Sequence, residues 1–215
     1  MKSADEFFAD IEKYRTLSEM KEYFNIKKNL VLNDDNFVKI ARLKIGRFKK
    51  FLEEYYPLML FMNTRFCEEE SMASLVIGNQ GYDAIIKSAN GEKKVEFTIY
   101  EDGKFEYIDA IKLNETGIGN LRFSDANSLD DRALGYLDKV LENIEKKRMK
   151  DYSGVELVIL VNTFGYFDVY NNSAVEFRNQ LLDILRDKEF IADSVYVIFG
   201  TEQIKNIDKY TYKID

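Results

Sequence analysis

The segment GYDAIIKSANGEKKVEFTIYEDG, residues 81–103, decides the fold class of this chain. Apolar and polar side chains alternate on both sides of Asn90 and Gly91, and an Asn-Gly pair between two alternating runs is a strong β-hairpin signal. The pattern predicts one strand over 82–87 and a second strand over 94–100.

Helical patterns precede this hairpin. Apolar residues recur three and four positions apart, which predicts helices over 3–24, 37–56 and 58–76. Ser3 begins the first helix as part of a capping box. Pro57, the only proline, separates the second helix from the third, because proline interrupts a helix.

Strand and helix patterns alternate after the hairpin. Nearly continuous apolar runs indicate strands buried on both faces, and capping residues before apolar stripes indicate helices. The chain is therefore predicted to be α/β, with a mixed β-sheet flanked by helices. Two organisations stay open: a helical region over 1–56 followed by an α/β domain over 57–215, or one continuous domain. The predicted elements are a strand over 105–113, a loop over 114–127, a helix over 128–148, a strand over 155–161, a helix over 173–188 and a strand over 194–199.

The composition excludes several kinds of site. Histidine is absent from the 215 residues, and Cys67 is the only cysteine. The chain therefore has no Ser-His-Asp or Cys-His site, no histidine-ligated metal, no cysteine-rich zinc site and no internal disulfide. Carboxylate oxygens remain as metal ligands, and these suit Mg²⁺ or Mn²⁺. The net charge of −7 is unusual for a non-specific nucleic-acid coat protein.

The N-terminal segment, MKSADEFFADIEKY, is acidic and lacks a long apolar core, so it does not resemble a secretion signal. The most apolar stretches of the sequence are too short to span a bilayer. We expect a cytoplasmic protein that has no membrane partner. The sequence does not indicate an oligomeric state.

Each strand of the hairpin carries one acid, Asp83 in the first and Glu96 in the second. Two carboxylates within about 4–6 Å of each other repel unless a cation lies between them. The two acids therefore either hold a divalent cation or are polar residues on the solvent-facing side of the hairpin.

The order of a helix, Asp83 on a strand, a hairpin and then VEFT over 95–98 resembles the core of the PD-(D/E)XK nuclease superfamily. This family has the restriction-endonuclease-like fold. The resemblance covers residues 58–163, and the predicted later helix and buried strand follow in the family's order. Its motif is short.

The resemblance implies a metal site. Asp83 and Glu96 would bind Mg²⁺ or Mn²⁺, and a glutamate of the preceding helix would assist them. Glu69 is the first candidate for that glutamate, and its neighbours Glu68 and Glu70 are the alternatives.

The family carries a lysine two residues after the second acid, where this chain has Thr98. A hydroxyl can position a water but stabilises a developing negative charge less than an ammonium does. Lys94, on the same strand face as Glu96, is one possible replacement. Lys139 or Arg132 on the following helix is another. Without a replacement the site would be inactive.

Six basic residues with no acid among them lie between positions 39 and 50. On a helix they would spread around more than half of the circumference, with apolar residues between them. This basic segment is either a contact surface for nucleic-acid phosphates or a helix whose lysine stems flank the core. The six residues are Lys39, Arg42, Lys44, Arg47, Lys49 and Lys50.

Two functions are consistent with these patterns. The first is metal-dependent hydrolysis of phosphodiester bonds in DNA or RNA. The second is a catalytically inactive nuclease-like protein that binds a protein partner, in a regulatory or defence role. Thr98 at the lysine position and the negative net charge motivate the second function.

Overall fold

The computed structural model describes residues 4–100, 103–119, 126–162, 173–200 and 204–214. The chain is α/β, which confirms the predicted class, and its strands pair in both parallel and antiparallel directions. Every described helix is too short or too polar to span a lipid bilayer.

Helices and strands alternate along most of the chain. The helices are α1 (Ala4–Phe7), α2 (Leu17–Leu32), α3 (Asp35–Arg42), α4 (Arg47–Lys50), α5 (Tyr56–Met62), α6 (Gly103–Thr116), α7 (Ala126–Arg148) and α8 (Ser173–Arg186), with a π-helical stretch at Phe51–Tyr55 and a 3₁₀ segment at Ile204–Tyr210. The strands are β1 (Arg15–Thr16), β2 (Met72–Leu75), β3 (Ala84–Ser88), β4 (Gly91–Tyr100), β5 (Tyr152–Asn162), β6 (Ala192–Gly200) and β7 (Thr211–Ile214).

Two compact units divide the chain. The N-terminal unit comprises Met1–Lys93 and Glu101–Leu121, and the C-terminal unit comprises Lys94–Tyr100 and Arg122–Asp215. Neither unit is a continuous stretch of sequence, because β4 contributes its first residues to one unit and its last residues to the other. The predicted boundary at residue 56 stays a prediction.

Aromatic side chains form the core of the N-terminal unit. The ring of Phe8 is fully buried and lies 4.7 Å from Phe7, 4.9 Å from Phe48 and 4.8 Å from Phe51, measured between ring centroids. Ring contacts at these distances add to the free energy that burial alone provides. This cluster joins α1, α4 and the π-helical stretch.

The helix predicted over 3–24 is wrong in its middle, where α1 ends and the chain turns before α2. Arg15 stabilises the turn by donating hydrogen bonds to the backbone oxygen of Asp10 (2.9 Å) and to its carboxylate (3.1 Å). A capping box of Thr16 and Glu19 then begins α2, with the Thr16 amide 2.8 Å from the Glu19 carboxylate.

The helix predicted over 37–56 is interrupted between α3 and α4. Lys44 and Gly46 both have a positive φ, of 49° and 58°. A right-handed helix requires a negative φ, so these two residues end α3 and redirect the chain. The basic segment therefore spans two short helices and a turn.

The prediction of a helix over 58–76 is wrong beyond α5. The polar residues after Met62 form turns, and β2 then pairs antiparallel with β3, placing Ala73 opposite Ile86. A short apolar run such as the one in β2 fits a strand or a buried helix equally well by periodicity. Pairing with β3 decides between them.

The strand predicted over 105–113 is instead the helix α6, which also takes the first residues of the predicted loop. Ala110 is buried, and the Asn114 amide joins α6 to α3 by donating to the backbone oxygen of Lys39 (3.0 Å) and accepting from Arg42 (3.2 Å). Lysine, glutamate and alanine in this segment also favour a helix.

The C-terminal unit contains four strands, and the positions of three of them along the chain were predicted. β4, β5 and β6 are parallel, and β7 runs antiparallel to β6. The register aligns Thr98, Ile159, Val197 and Tyr212, so these four side chains point to the same face. The two buried strands and the two helices predicted after residue 127 are confirmed, whereas β7 was not predicted.

Both α7 and α8 lie on this face. The ring centroids of Tyr136 on α7 and Phe177 on α8 are 5.4 Å apart. At the other end of the helices, Glu145 binds Arg148 through the guanidinium Nε (2.9 Å) and Lys188 through its ammonium (3.2 Å). These ion pairs connect the end of α7 to the residues that follow α8.

The ion pairs of Glu145 are expected to make stability depend on acidic pH. Hydrogen bonds from Arg148, acting against burial and supported by Lys188, lower the pKa of Glu145 from 4.5 to about 2. Because the pKa is lower in the folded chain, the pairs stabilise the fold fully above pH 4.5, and this contribution is lost as the pH falls toward 2.

Thermal unfolding of the wild type and of Glu145→Gln, followed by circular dichroism, measures this effect. The difference between their midpoints should be constant near neutral pH and shrink below pH 4.5. Asp138→Asn is the control, because Asp138 is exposed on α7 and has no ion pair among the described residues. A difference for Glu145→Gln that stays constant down to pH 3 would contradict the assignment.

Candidate functional site

Strand β4 positions the predicted second acid on a helix-covered face. Glu96 and Thr98 point to the same side, and α7 packs over both of them. The side chain of Glu96 is 14% exposed, and Thr98 is 6% exposed. The interpretation of Glu96 as a residue on a solvent-facing strand surface is therefore wrong.

An ammonium lies directly on this acid. Lys147 of α7 donates to the Glu96 carboxylate at 2.7 Å, and the Lys147 side chain is only 21% exposed. One helical turn earlier, the Asn143 amide lies 3.4 Å from the Thr98 hydroxyl. The Tyr152 hydroxyl lies 3.5 Å from the same Glu96 oxygen. We call Glu96, Lys147 and Tyr152 the Glu96 centre.

The Tyr152 hydroxyl in this centre keeps its proton. Burial raises the pKa of Tyr152, and the Glu96 carboxylate acts in the same direction, although Lys147 opposes them. A protonated phenol can donate a hydrogen bond to a negatively charged oxygen. The Glu96 centre therefore holds one carboxylate and two donors.

The predicted first acid, Asp83, belongs to the N-terminal unit. It is half-buried, immediately precedes β3, and its backbone oxygen accepts a hydrogen bond from the amide of Val76 at 2.9 Å. Glu96 belongs to the C-terminal unit. The convergence of the two carboxylates stays a prediction.

The described residues set limits on a metal site. Within the described ranges, no three acidic or cysteine side chains gather closely enough to hold a metal ion. Mg²⁺ often takes only one or two protein carboxylates and completes its coordination with water and substrate phosphates. Binding of a metal ion by Glu96 stays a prediction.

The prediction of a glutamate on an upstream helix is wrong. Glu68, Glu69 and Glu70 lie in the turns between α5 and β2 and are exposed. The Glu68 carboxylate accepts hydrogen bonds from Asn90 (2.7 Å) and Ser88 (2.9 Å), and these bonds lower its pKa. Glu68 thus stabilises the turn between β3 and β4.

The lysine predictions missed the residue that contacts Glu96. Lys94 and Lys139 are exposed, and the Arg132 side chain lies outside the described residues. Lys147 was not among the predicted replacements, because the three basic residues at the end of α7 suit the negative end of its helix dipole. The spacing of Asn143 and Lys147 could have predicted the contact, because they are four residues apart and continue the buried stripe of α7.

The basic segment is largely engaged by other groups of the N-terminal unit. Lys44 and Lys49 both pair with Glu53, at 3.2 and 3.8 Å, and Lys50 pairs with Glu54 at 2.5 Å. Arg47 donates to the backbone oxygen of Phe8 at 2.9 Å, and Arg42 donates to Asn114. Lys39 is exposed. Binding of phosphates by this segment stays a prediction.

Comparison with known proteins gave no relative: no protein-family profile, curated protein or solved structure matched the chain.

Proposed function

We propose that this chain is a nuclease-like protein that hydrolyses phosphodiester bonds with Mg²⁺ or Mn²⁺. The observation that supports this function is the contact of 2.7 Å between Glu96 and Lys147. The resemblance to the PD-(D/E)XK superfamily requires an acid and an ammonium together, and Lys94, the lysine on the Glu96 face of the strand, is exposed. Lys147 supplies the ammonium from the helix.

Each residue of the Glu96 centre has a role in this proposal. Glu96 would contribute a carboxylate to the cation, and Asp83 stays the predicted second ligand. A bound Mg²⁺ would polarise a phosphate and lower the pKa of a coordinated water. Lys147 would transfer its hydrogen bond from Glu96 to a phosphate oxygen and stabilise the negative charge that develops there. Tyr152 would donate a second hydrogen bond, and α7 would keep bulk water away from these groups.

Cleavage of single- and double-stranded DNA and RNA with Mn²⁺ tests this function. We expect Asp83→Asn and Glu96→Gln to reduce cleavage to background, and Lys147→Met to lower its rate roughly 100-fold, because a preorganised donor is lost. Lys146→Met is the matched control, since Lys146 neighbours Lys147 on α7 but is exposed and pairs with Glu142. We expect its rate to stay within about twofold of the wild type.

Two results would contradict the enzyme proposal. The first is the absence of Mn²⁺-dependent cleavage of all four substrates by the folded wild type. The second is cleavage that survives in both Asp83→Asn and Glu96→Gln, because a contaminating nuclease would then explain it.

A second candidate function is binding to a protein partner without catalysis. The same contact supports it, because Lys147 already neutralises Glu96 without a metal ion, and both side chains are largely shielded from solvent. A partner that co-elutes in stoichiometric amount with both the wild type and Glu96→Gln, in the absence of cleavage, would support this function. Metal-dependent cleavage by the wild type would refute it.

A further inference from the structure

Arg178 on α8 occupies an unusual position in the C-terminal unit. Its guanidinium carbon lies 5.9 Å from the ring centroid of Tyr210 and 6.0 Å from that of Tyr212. Its Nε is buried and has no hydrogen-bond acceptor among the described residues. A guanidinium has five N–H donors, and burying one of them without an acceptor costs free energy.

Other arginines of the described chain have oxygen partners. Arg15 binds the Asp10 carboxylate, Arg148 binds Glu145, and Arg186, on the same helix as Arg178, binds Asp183 at 2.9 Å. Arg47 donates to a backbone oxygen. Arg178 differs because its contacts among the described residues are two tyrosine rings. The Arg178 residue as a whole is only half-buried, so its terminal amino groups can donate to an anionic acceptor from outside the described chain.

The two tyrosines offer ring surface beside this cation. Tyr210 and Tyr212 are half-buried, so part of each ring is accessible. Tyr212 is held in place by an edge contact with Phe199, with ring centroids 5.9 Å apart, and by a hydrogen bond of 3.0 Å from its hydroxyl to the backbone oxygen of Lys209. Fixed aromatic rings beside an arginine bind unpaired nucleic-acid bases by stacking.

The surrounding charges also favour a phosphate. Lys209 and Lys213 are exposed on the 3₁₀ segment and on β7, next to the two tyrosines in the chain. Glu176 and Asp208 are exposed nearby in sequence, so the local charge is mixed, with three cations against two acids. A planar guanidinium binds two phosphate oxygens at once, which a diffuse surface charge cannot do.

We propose that Arg178, Tyr210 and Tyr212 form a binding site for single-stranded nucleic acid. Arg178 holds a backbone phosphate, and the tyrosine rings contact an adjacent base. Base contact by rings favours a single strand, because the bases of a duplex are stacked on one another. The site rests on the proposed function and specifies that the nucleic acid is single-stranded. Its test measures binding without metal, so the two proposals can fail separately.

Fluorescence anisotropy with labelled single strands of about twelve nucleotides, in a metal-free buffer with EDTA, tests the site. We expect Arg178→Met to weaken binding roughly tenfold and to reduce the slope of log affinity against log salt by about 0.7, since one phosphate contact is lost. Arg186→Met is the matched control, because it removes one positive charge from the same helix. We expect it to change affinity by less than about twofold.

A structural role for Arg178 predicts a different result. If the side chain only packed the unit, Arg178→Met would lower the midpoint of thermal unfolding. We expect that midpoint to stay unchanged or to rise, because the substitution removes a buried donor that has no acceptor. Arg178→Lys keeps the charge but not the paired donors, and we expect intermediate binding.

Several outcomes would overturn the proposal. Equal binding by Arg178→Met and Arg186→Met would exclude Arg178 as a contact. Inorganic phosphate that competes as well as the oligonucleotide would indicate a small-anion site, and preference for an acidic peptide would indicate a protein partner. Preference for a double strand of the same sequence would exclude the stacking role.

Retained binding in Glu96→Gln, whether or not cleavage occurs, would support the proposal.

Discussion

Replacing Lys147 by methionine is expected to lower the free energy of unfolding by about 3 kcal/mol. The substitution leaves the Glu96 carboxylate without its ammonium at a position where the side chain is only 14% exposed. An uncompensated charge with little access to water is costly, and the remaining exposure places the effect at the low end of the usual range. Urea unfolding followed by circular dichroism measures it.

The double variant Glu96→Met/Lys147→Met separates the charge effect from packing. We expect it to lie within about 1 kcal/mol of the wild type, because removal of both partners leaves no buried charge. Lys146→Met serves again as the control, with an expected change below about 0.5 kcal/mol. A double variant as unstable as Lys147→Met would mean that the Lys147 stem, and not its charge, stabilises the unit.

Replacing Phe8 by alanine is expected to lower the free energy of unfolding by about 4 kcal/mol. The Phe8 ring is fully buried among Phe7, Phe48 and Phe51, so the substitution loses the transfer free energy of the ring and leaves a cavity between rigid aromatic neighbours. Urea unfolding provides the measurement, with Tyr107→Ala as the control because Tyr107 is 56% exposed on α6.

A loss below about 1 kcal/mol for Phe8→Ala would contradict this packing. It would mean that the first turn of the chain detaches readily from the aromatic core. The result also bears on the first helix predicted from the sequence, because a continuous helix over 3–24 would carry Phe8 on a different path.

The strongest sequence signals predicted the C-terminal unit well. β5 and β6 each contain a nearly continuous apolar run, and a strand buried on both faces needs such a run. The capping box at Ser173 marked the start of α8 correctly, because capping depends on residues within one turn. These signals are local, so no knowledge of the packing was needed to use them.

The N-terminal unit was predicted less well because its turns depend on polar contacts that the apolar pattern does not show. Thr16 and Glu19 carry the same capping pattern as Ser3 and Glu6, and this pattern could have placed the start of α2. The turn before it depends on Arg15 reaching Asp10, which apolar periodicity does not report. The helix α6 was mistaken for a strand because its apolar residues fit both periods.

The candidate site was half predictable. Alternation along β4 placed Glu96 and Thr98 on one face, and the structure agrees. The partner of Glu96 could not be predicted from the strand, because Lys147 lies on another element and its contact depends on how α7 packs. A charged residue that continues a buried helical stripe is the local sign of such a partner.

The exchange of chain segments between the two units has a consequence during synthesis. Residues 94–100 emerge from the ribosome well before β5, their parallel partner, while the N-terminal unit still awaits residues 101–121. A strand in this state exposes unpaired amides and carbonyls, which invite pairing with other nascent chains. A stop codon near residue 121 would leave that strand without β5 permanently, so shortened versions of this chain are expected to aggregate.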